Sequence, residues 1–265
     1  MIMNKVIIFS DMDGTFLDHN TYSYAKAMPA IKKIRKNKTP LVFCSSRVCH
    51  EMDLYDEKLK LSNPVIAENG AAIFIPKNYF KFKYKYDYEK DNYKVIHFGS
   101  NYKKLRQVLT KIKKETGYDI KGFGDLTLKE LSKNAGISIG KAKLAKQRDC
   151  TEPFILNKGN IEKIKKLIKK YGLNYTKGGR YHYIMGKNDK GKAVSVLKKL
   201  FKKKFGKIVT IGIGDGLNDL PMLKNTDYGY LVKNHKGKYS FKHKGIIRVN
   251  KKGPAGFNEA VMRYL

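Results

Sequence analysis

The chain has 265 residues, of which 42% are hydrophobic and 30% charged, a balance that predicts a packed globule and excludes a disordered protein. Its 56 lysines and arginines against 23 acidic residues give a formal net charge of +33, the usual electrostatic sign of nucleic-acid binding. The lysine runs, such as the one in residues 161–171, are interrupted by apolar residues at helical spacing. We interpret them as solvated faces of amphipathic helices, which leaves a nucleic-acid-binding protein as the remote alternative.

The three cysteines, Cys44, Cys49 and Cys150, are too few and too irregularly spaced for a disulfide framework or a zinc site. The first apolar stretch ends at Asp11, which is too early for a signal peptide. The sequence contains no run of about 18 apolar residues, the length that a membrane-spanning helix requires. The sequence therefore predicts a cytoplasmic protein without a membrane partner, and it indicates no oligomeric state.

The predicted elements begin with an apolar strand at residues 6–9. A helical pattern over residues 25–37 and a strand at residues 41–44 follow, an order that predicts a parallel crossover. A short strand at residues 65–67 then leads through Glu68-Asn69-Gly70 into a hairpin arm. These elements form the first part of an α/β core.

The composition and the predicted elements change between residues 82 and 186, where Tyr- and Lys-rich extended segments alternate with helical segments. We interpret this stretch as an α+β domain inserted into the core. The predicted organisation is thus a first core part at 1–81, the inserted domain at 82–186 and a second core part at 187–265.

Acidic residues follow two of the predicted strands. Asp11 and Asp13 come after the first strand, and Asp215, Asn218 and Asp219 come after the apolar run at residues 208–211. Ligands of parallel α/β sheets bind outside the carboxyl ends of the strands, so we expect these two clusters to converge. Because they offer only oxygen ligands, they favour Mg²⁺ over zinc.

Four segments, in this order, resemble the motifs of the haloacid dehalogenase superfamily phosphatases. They are Asp11-Met12-Asp13-Gly14-Thr15, Ser45 at the end of the second strand, Lys190 before the glycine that opens a helix, and Gly214-Asp215-Gly216-Leu217-Asn218-Asp219. Alignment with those motifs selects Ser45 over Ser46 and Lys190 over Lys192. The resemblance implies an α/β fold with a three-layer, Rossmann-like core around a parallel sheet and an inserted α+β cap of the C2B type.

The resemblance also implies a role for each residue. Asp11 would attack phosphorus and form an aspartyl-phosphate, while Asp13 would protonate the leaving oxygen and later activate water. Ser45 and Lys190 would stabilise the charge on the phosphoryl group. Mg²⁺ would be held by Asp11, the backbone carbonyl of Asp13 and Asp215, and the division of ligand and orienting roles between Asn218 and Asp219 stays open.

Essentially end to end, the chain is similar to the mannosyl-3-phosphoglycerate phosphatase subfamily. The shared segments are Leu17-Asp18-His19, Cys44-Ser45-Ser46, Glu68-Asn69-Gly70, Glu152-Pro153-Phe154 and Gly178-Gly179-Arg180. This implies a small phosphorylated, carboxylated glycoside as substrate, with Arg180 at its carboxylate and Glu152 at its sugar hydroxyls. The candidate substrate-binding residues are Thr15, Ser46, Glu152, Gly178, Gly179 and Arg180.

Two departures from the subfamily weaken the substrate assignment. Arg47-Val48 stands where the subfamily commonly has Lys-Thr, and residues 77–91 are unusually rich in Tyr and Lys. Glucosyl-3-phosphoglycerate, or a sugar phosphate processed by a broader relative, is therefore an alternative substrate. A phosphosugar mutase is an alternative activity, since it would use the same Asp11 and Asp13 but retain the phosphoryl group.

Overall fold

The computed structural model describes residues 4–265, and its elements are numbered here in chain order. The strands are β1 (Lys5–Ser10), β2 (Leu41–Phe43), β3 (Val65–Ala67), β4 (Ala72–Pro76), β5 (Tyr88–Lys90), β6 (Tyr93–His97), β7 (Asp119–Gly122), β8 (Thr151–Lys158), β9 (Asn174–Gly178), β10 (Tyr181–Met185), β11 (Ile208–Gly214), β12 (Tyr228–Lys233) and β13 (Ile246–Lys252). The α-helices are α1 (Met28–Lys36), α2 (Cys49–Leu59), α3 (Tyr102–Thr116), α4 (Leu128–Ala135), α5 (Ile139–Ala145), α6 (Ile161–Lys170), α7 (Lys190–Phe205), α8 (Leu220–Lys224) and α9 (Gly253–Met262).

The core is built on a five-stranded parallel sheet with the order β13-β12-β11-β1-β2. Its central strands are continuous apolar runs because helices cover both faces. On one face Ile8 packs in a cluster with Ile31 of α1 and Phe257 of α9. On the other face Phe9 packs in a cluster with Phe201 of α7. The predicted three-layer core is confirmed, as is the parallel pairing of the first two strands.

A second, antiparallel sheet lies beside the core and has the order β3-β4-β6-β5. The predicted hairpin is present, since β3 pairs with β4 from Val65↔Phe74 to Ala67↔Ala72. Strand β6 also pairs with β4, although it lies in the segment assigned to the inserted domain. The Tyr- and Lys-rich segment, which the sequence assigns to the inserted domain from residue 82, thus contributes β5 and β6 to the sheet that the first core part begins.

The cap is the α+β unit that runs from α3 to β10. Its antiparallel sheet has the order β7-β8-β10-β9. Helices α3 and α6 cover one face through a cluster that includes Leu109, Phe154 and Ile168. Helices α4 and α5 form a smaller cluster with residues near the other sheet face, including Leu131 and Tyr181.

The lysine runs lie on exposed helix faces, as their spacing predicts. In α6, Ile164 and Ile168 are buried, whereas Lys166 and Lys170 are exposed. The side of the helix that faces the cap sheet is thus apolar and the other side is charged. Among residues 4–265, the helices are too short or too polar to cross a lipid bilayer.

Candidate active site

The two acidic clusters meet at the carboxyl edge of the parallel sheet. Strands β1 and β11 are direct neighbours, paired up to Ser10↔Ile213, and the backbone N–H of Asp11 donates to the carbonyl of Ile213 at 2.9 Å. Carboxylate oxygens of Asp11, Asp215 and Asp219 consequently lie within 4.8 Å of one another. Residues about 200 positions apart in sequence therefore share one site.

Lys190 provides a buried cation at the centre of this cluster. It opens α7, is 1% exposed, and its Nζ donates to Oδ1 of Asp11 and Oδ1 of Asp219, each at 2.6 Å. Burial disfavours the ammonium, but the two carboxylates outweigh it and hold the pKa of Lys190 above its usual range. Lys192, the alternative, is exposed and donates to the carbonyl of Lys187. The structure therefore places Lys190 in the site and Lys192 outside it.

The carboxylates of the cluster carry more negative charge than Lys190 neutralises. Burial, followed by the charge of Asp219, raises the pKa of Asp11 to about 7. The pKa of Asp215 is also raised well above its usual value, first by burial and then by Asp11 and Asp219. An oxygen-only ligand set with surplus negative charge suits a hard divalent cation such as Mg²⁺.

The side chains of Asp219 and Asn218 have different contacts. Both oxygens of Asp219 are engaged, Oδ1 by Lys190 and Oδ2 by the backbone N–H groups of Asp215 and Gly216 at 3.1 and 2.9 Å. The side-chain amide of Asn218 donates to Oδ1 of Asn69 at 3.2 Å, which leaves its own oxygen available at the cavity. Both oxygens of Asp219 are thus engaged within the protein, whereas Asn218 lines the cavity.

Gly14 permits the close approach of the two strand ends. Its φ is +85°, and a Cβ at this position would lie 2.6 Å from Oδ2 of Asp215. Any side chain would thus be strained and would displace that carboxylate. The neighbouring Thr15 is fully buried, and its hydroxyl lies 3.5 Å from Oδ1 of Asp215. Thr15 contacts the acidic cluster and does not line the cavity.

The two serines after β2 have different positions. Ser45 is fully buried, and its Oγ accepts a hydrogen bond from the backbone N–H of Arg47 at 3.2 Å. Ser46 lines the cavity, and its Oγ accepts a hydrogen bond from the hydroxyl of Tyr183, on β10 of the cap, at 3.2 Å. Ser46 thus joins the core to the cap at the cavity wall.

Arg47 is a site residue that sequence reasoning did not assign. Its Nε and Nη2 donate to the two carboxylate oxygens of Asp13 at 2.8 and 2.6 Å. Burial opposes ionisation of Asp13, but this guanidinium outweighs it, so that the pKa of Asp13 lies below its usual value. The only sequence signal was the departure from the subfamily at this position, two residues beyond Ser45.

A cavity of about 810 Å³, including its open mouth, lies between the core and the cap. The core contributes Asp11, Asp13 and Asp215 together with Arg47 and Asn218. The cap contributes apolar and aromatic side chains as well as the loop between β9 and β10. Its lining residues include Phe123, Ala135, Ile137, Ala145, Gly178, Gly179, Arg180, Tyr181 and Tyr183.

The loop between β9 and β10 reaches across to the core. A Cβ on Gly178 would lie 3.0 Å from the side-chain nitrogen of Asn218, so the absence of a side chain permits this contact. Nη1 of Arg180 donates to the carbonyl of Ala135 at 2.9 Å, and Nη2 lies 3.5 Å from the carbonyl of His19. Gly178, Gly179 and Arg180 all line the cavity.

Glu152 does not line the cavity, contrary to its expected position at the substrate. Its side chain is fully buried. Its carboxylate accepts hydrogen bonds from Nη1 of Arg106 at 2.8 Å, the hydroxyl of Tyr102 at 2.6 Å and the backbone N–H of Gly124 at 3.0 Å. All of these partners lie inside the cap, and none of the three is among the residues that line the cavity.

Comparison with known proteins identifies the family. A family model described as haloacid dehalogenase-like hydrolase matches residues 8–255. The chain belongs to this family. Solved structures show the same fold: a haloacid dehalogenase-like hydrolase from Bacteroides thetaiotaomicron superposes with a TM-score of 0.67 at 16% identity, covering 99% of this chain and 100% of that chain. A protein from Thermoplasma acidophilum gives a TM-score of 0.69 at 17% identity, with 98% of each chain covered.

Curated relatives are similar over nearly their whole length. A glucosyl-3-phosphoglycerate/mannosyl-3-phosphoglycerate phosphatase of Methanococcoides burtonii is 48% identical and covers 97% of this chain and 96% of its own. A protein of the same name from Persephonella marina is 39% identical, with 98% and 97% covered. The mannosyl-3-phosphoglycerate phosphatase of Pyrococcus horikoshii is 33% identical, with 92% and 97% covered.

Proposed function

We propose that this protein is a Mg²⁺-dependent phosphomonoesterase that hydrolyses glycosyl-3-phosphoglycerates, both mannosyl and glucosyl. The observation that carries the proposal is the position of Asp11, a buried carboxylate held by Lys190 beside Asp215 at the floor of a cavity closed by a cap. A phosphate dianion repels an attacking carboxylate, so the reaction needs positive charge at this floor, which Lys190 and a bound divalent cation would supply.

The contacts suggest how the side chains divide the reaction. Lys190 holds Oδ1 of Asp11, which leaves Oδ2 to attack phosphorus while the bond to the leaving oxygen breaks. Asp13 protonates that oxygen, then takes a proton from the water that hydrolyses the aspartyl-phosphate. Ser45, which follows the neighbouring strand β2, donates a hydrogen bond from its hydroxyl group to a phosphoryl oxygen.

The metal would be held by the carboxylates of Asp11 and Asp215, the backbone carbonyl of Asp13 and the side-chain oxygen of Asn218. When bound, Mg²⁺ neutralises charge on the phosphoryl oxygens. Asp219 keeps Lys190 and the backbone of residues 215–216 in place around that position.

The cavity supports a substrate with three chemically distinct parts. The phosphate belongs at the acidic floor with Lys190, and a carboxylate belongs near the guanidinium groups of the wall. The hexose fits the far end, where Phe123, Ile137 and Tyr181 provide apolar and aromatic surface. The relatives from Methanococcoides and Persephonella, whose names carry both glucosyl and mannosyl substrates, support acceptance of both esters.

Phosphate release tests the proposal. We expect Mg²⁺-dependent release from mannosyl- and glucosyl-3-phosphoglycerate that exceeds release from hexose phosphates and 3-phosphoglycerate, and none after chelation. Asp11→Asn should abolish release with the unfolding midpoint retained. Lys190→Ala should lower kcat by about 100-fold or more, whereas Lys192→Ala, two residues away and exposed, should leave it unchanged.

Other outcomes identify the alternatives. Equal release from simple hexose phosphates would retain the mechanism and remove the substrate. Transfer of the phosphoryl group to another hydroxyl, with no free phosphate, would indicate a mutase. Retention on nucleic acid without hydrolysis of any ester would indicate a nucleic-acid-binding protein.

A further inference from the structure

Arg47 and Asp13 form a pair whose arrangement does not fit the role of Asp13 in the proposed reaction. Within residues 4–265, Arg47 is the hydrogen-bond partner of both Asp13 oxygens, at 2.8 and 2.6 Å. A general acid must instead turn one oxygen toward the leaving oxygen of the ester. Asp13 therefore has to leave Arg47, at least in part, when substrate is bound.

Arg47 is the fixed member of this pair. Its Nη1 donates to Oε1 of Glu51 at 3.1 Å, and its guanidinium lies over the rings of Tyr22 and Tyr55, at 5.4 and 5.9 Å from their centroids. Glu51 is itself held, because its Oε2 accepts the backbone N–H of Val48 at 3.2 Å. The side chain of Asp13 is more exposed than that of Arg47, at 29% against 12%. If the pair separates, Asp13 moves and Arg47 stays.

A buried guanidinium that loses a bidentate carboxylate is stabilised by another anion in its place, since Glu51 engages only Nη1 of Arg47. A planar, bidentate site of this kind suits a second carboxylate. The exchange of one carboxylate for another keeps the charge around Arg47 unchanged. The proposed substrate carries such a group.

Covalent geometry places the substrate carboxylate close to Arg47. In a 3-phosphoglycerate ester the carboxyl carbon is three bonds from the leaving oxygen, which limits their separation to roughly 4 Å. Asp13 must approach that same oxygen within hydrogen-bond distance. The carboxylate thus lies in the immediate surroundings of Asp13, and Arg47 already contacts Asp13 there.

The other two guanidinium groups of the cavity are less suitable. Arg148 donates to the carbonyl of Thr151 at 3.0 Å and to the carbonyl of Ser46 at 2.5 Å, and its side chain is 3% exposed. Arg180 lies between the carbonyls of Ala135 and His19. Arg148 is therefore occupied by structural contacts, and the two terminal nitrogens of Arg180 already face backbone carbonyls of the cap and the core.

We propose that the substrate carboxylate takes the place of Asp13 on Arg47, so that Arg47 selects carboxylated esters and their binding releases Asp13 toward the leaving oxygen. This inference rests on the proposed function. It makes Arg47, and not Arg180, the residue that recognises the carboxylate.

The test compares two esters that differ in this group alone. Glucosyl-3-phosphoglycerate carries the carboxylate, and 2-O-glucosylglycerol phosphate has a hydroxymethyl group in its place. We expect Arg47→Gln to lower kcat/KM by roughly 30-fold or more for the first ester and by a much smaller factor for the second. Arg47→Lys, which keeps the charge without the bidentate geometry, should recover part of the preference. Arg180→Gln should leave the ratio of the two kcat/KM values unchanged.

Three results would overturn the inference. Equal losses on both esters in Arg47→Gln would mean that Arg47 only positions Asp13. Loss of the preference in Arg180→Gln would assign carboxylate recognition to that residue. Hydrolysis of neither ester by the unaltered protein would remove the proposed function and this inference with it, a result distinct from an active enzyme with an unchanged ratio. Unfolding midpoints identify variants that fail to fold, and Arg47→Lys decides the question if Arg47→Gln is one of them.

Discussion

Glu68 connects the core to the cap, and we expect its removal to destabilise that junction. It follows β3 in a left-handed conformation, with φ of 49°, and is 4% exposed. Its Oε1 accepts the backbone N–H of Asp149 at 2.9 Å. Its Oε2 accepts the backbone N–H groups of Cys150 and Thr151, at 3.1 and 2.8 Å, and the hydroxyl of Thr151 at 2.8 Å.

Glu68→Ala leaves these donors without their acceptor. A buried donor that loses its partner lowers the free energy of unfolding by about 1–3 kcal/mol. Since three backbone amides lose their acceptor, we expect Glu68→Ala to lower the free energy of unfolding by roughly 3 kcal/mol or more. Glu68→Gln keeps the shape and one acceptor oxygen but turns an NH₂ group toward one of the donors. We expect that variant to lose about 1–3 kcal/mol.

Urea unfolding measures this loss, followed by circular dichroism and by tyrosine emission, since the chain contains no tryptophan. Two probes are needed because a core and a cap can unfold in separate transitions. Hydrogen exchange at the amides of residues 149–151 reports the junction directly. A change below about 0.5 kcal/mol in Glu68→Ala, with unchanged exchange at those amides, would refute the assignment of Glu68 as the link between core and cap.

Two further predictions concern buried or paired carboxylates of the cap. Glu152→Gln should lower the unfolding midpoint and leave KM nearly unchanged, because Glu152 contacts Arg106 and Tyr102 and not the cavity; a large rise in KM with an unaltered midpoint would restore it to the substrate site. Asp125 is partly buried, which opposes ionisation, but Arg106 foremost brings its pKa down to about 2. The unfolded state therefore binds the proton more readily, so the stabilisation by Asp125 is full above about pH 4 and is lost as the pH falls toward 2. Asp125→Asn should remove this part of the acid dependence of the unfolding free energy, and an identical pH profile in the variant would contradict the pairing.

The fold of the core was predictable because its signals are local. Apolar runs before Asp11 and Asp215 mark buried parallel strands, and strands of this kind have to end at one edge of a sheet. The boundary of the cap was not predictable in the same way. Strand β6 pairs with β4, and a Tyr- and Lys-rich composition contains no information about which sheet a strand joins.

The site was predictable where one residue type fits one chemistry, as for the carboxylates and Lys190. Sequence reasoning missed Arg47 and placed Glu152 at the substrate because the contacts of both residues depend on partners far along the chain. Arg47 meets Asp13 across 34 positions, and Glu152 meets Arg106 across 46. The local sequence around a basic residue in a loop, or an acidic residue in a strand, is the same whether its partner is a ligand or another side chain of the protein. Only the packing of the elements distinguishes these cases.

The order of strands in the parallel sheet has a consequence for the chain during its synthesis. Strand β1 is made first, yet it lies between β2 and β11, and β11 emerges from the ribosome after the entire cap. The cap has its own sheet and its own cluster of apolar side chains between α3 and β10. It can therefore fold while the core sheet still lacks β11, the central strand beside β1. Lys190, Asp215 and Asp219 also arrive in this last portion. A nascent chain can therefore fold its cap before all residues of the candidate site are present, and a truncated chain that ends in the cap contains Asp11 without Lys190, Asp215 and Asp219.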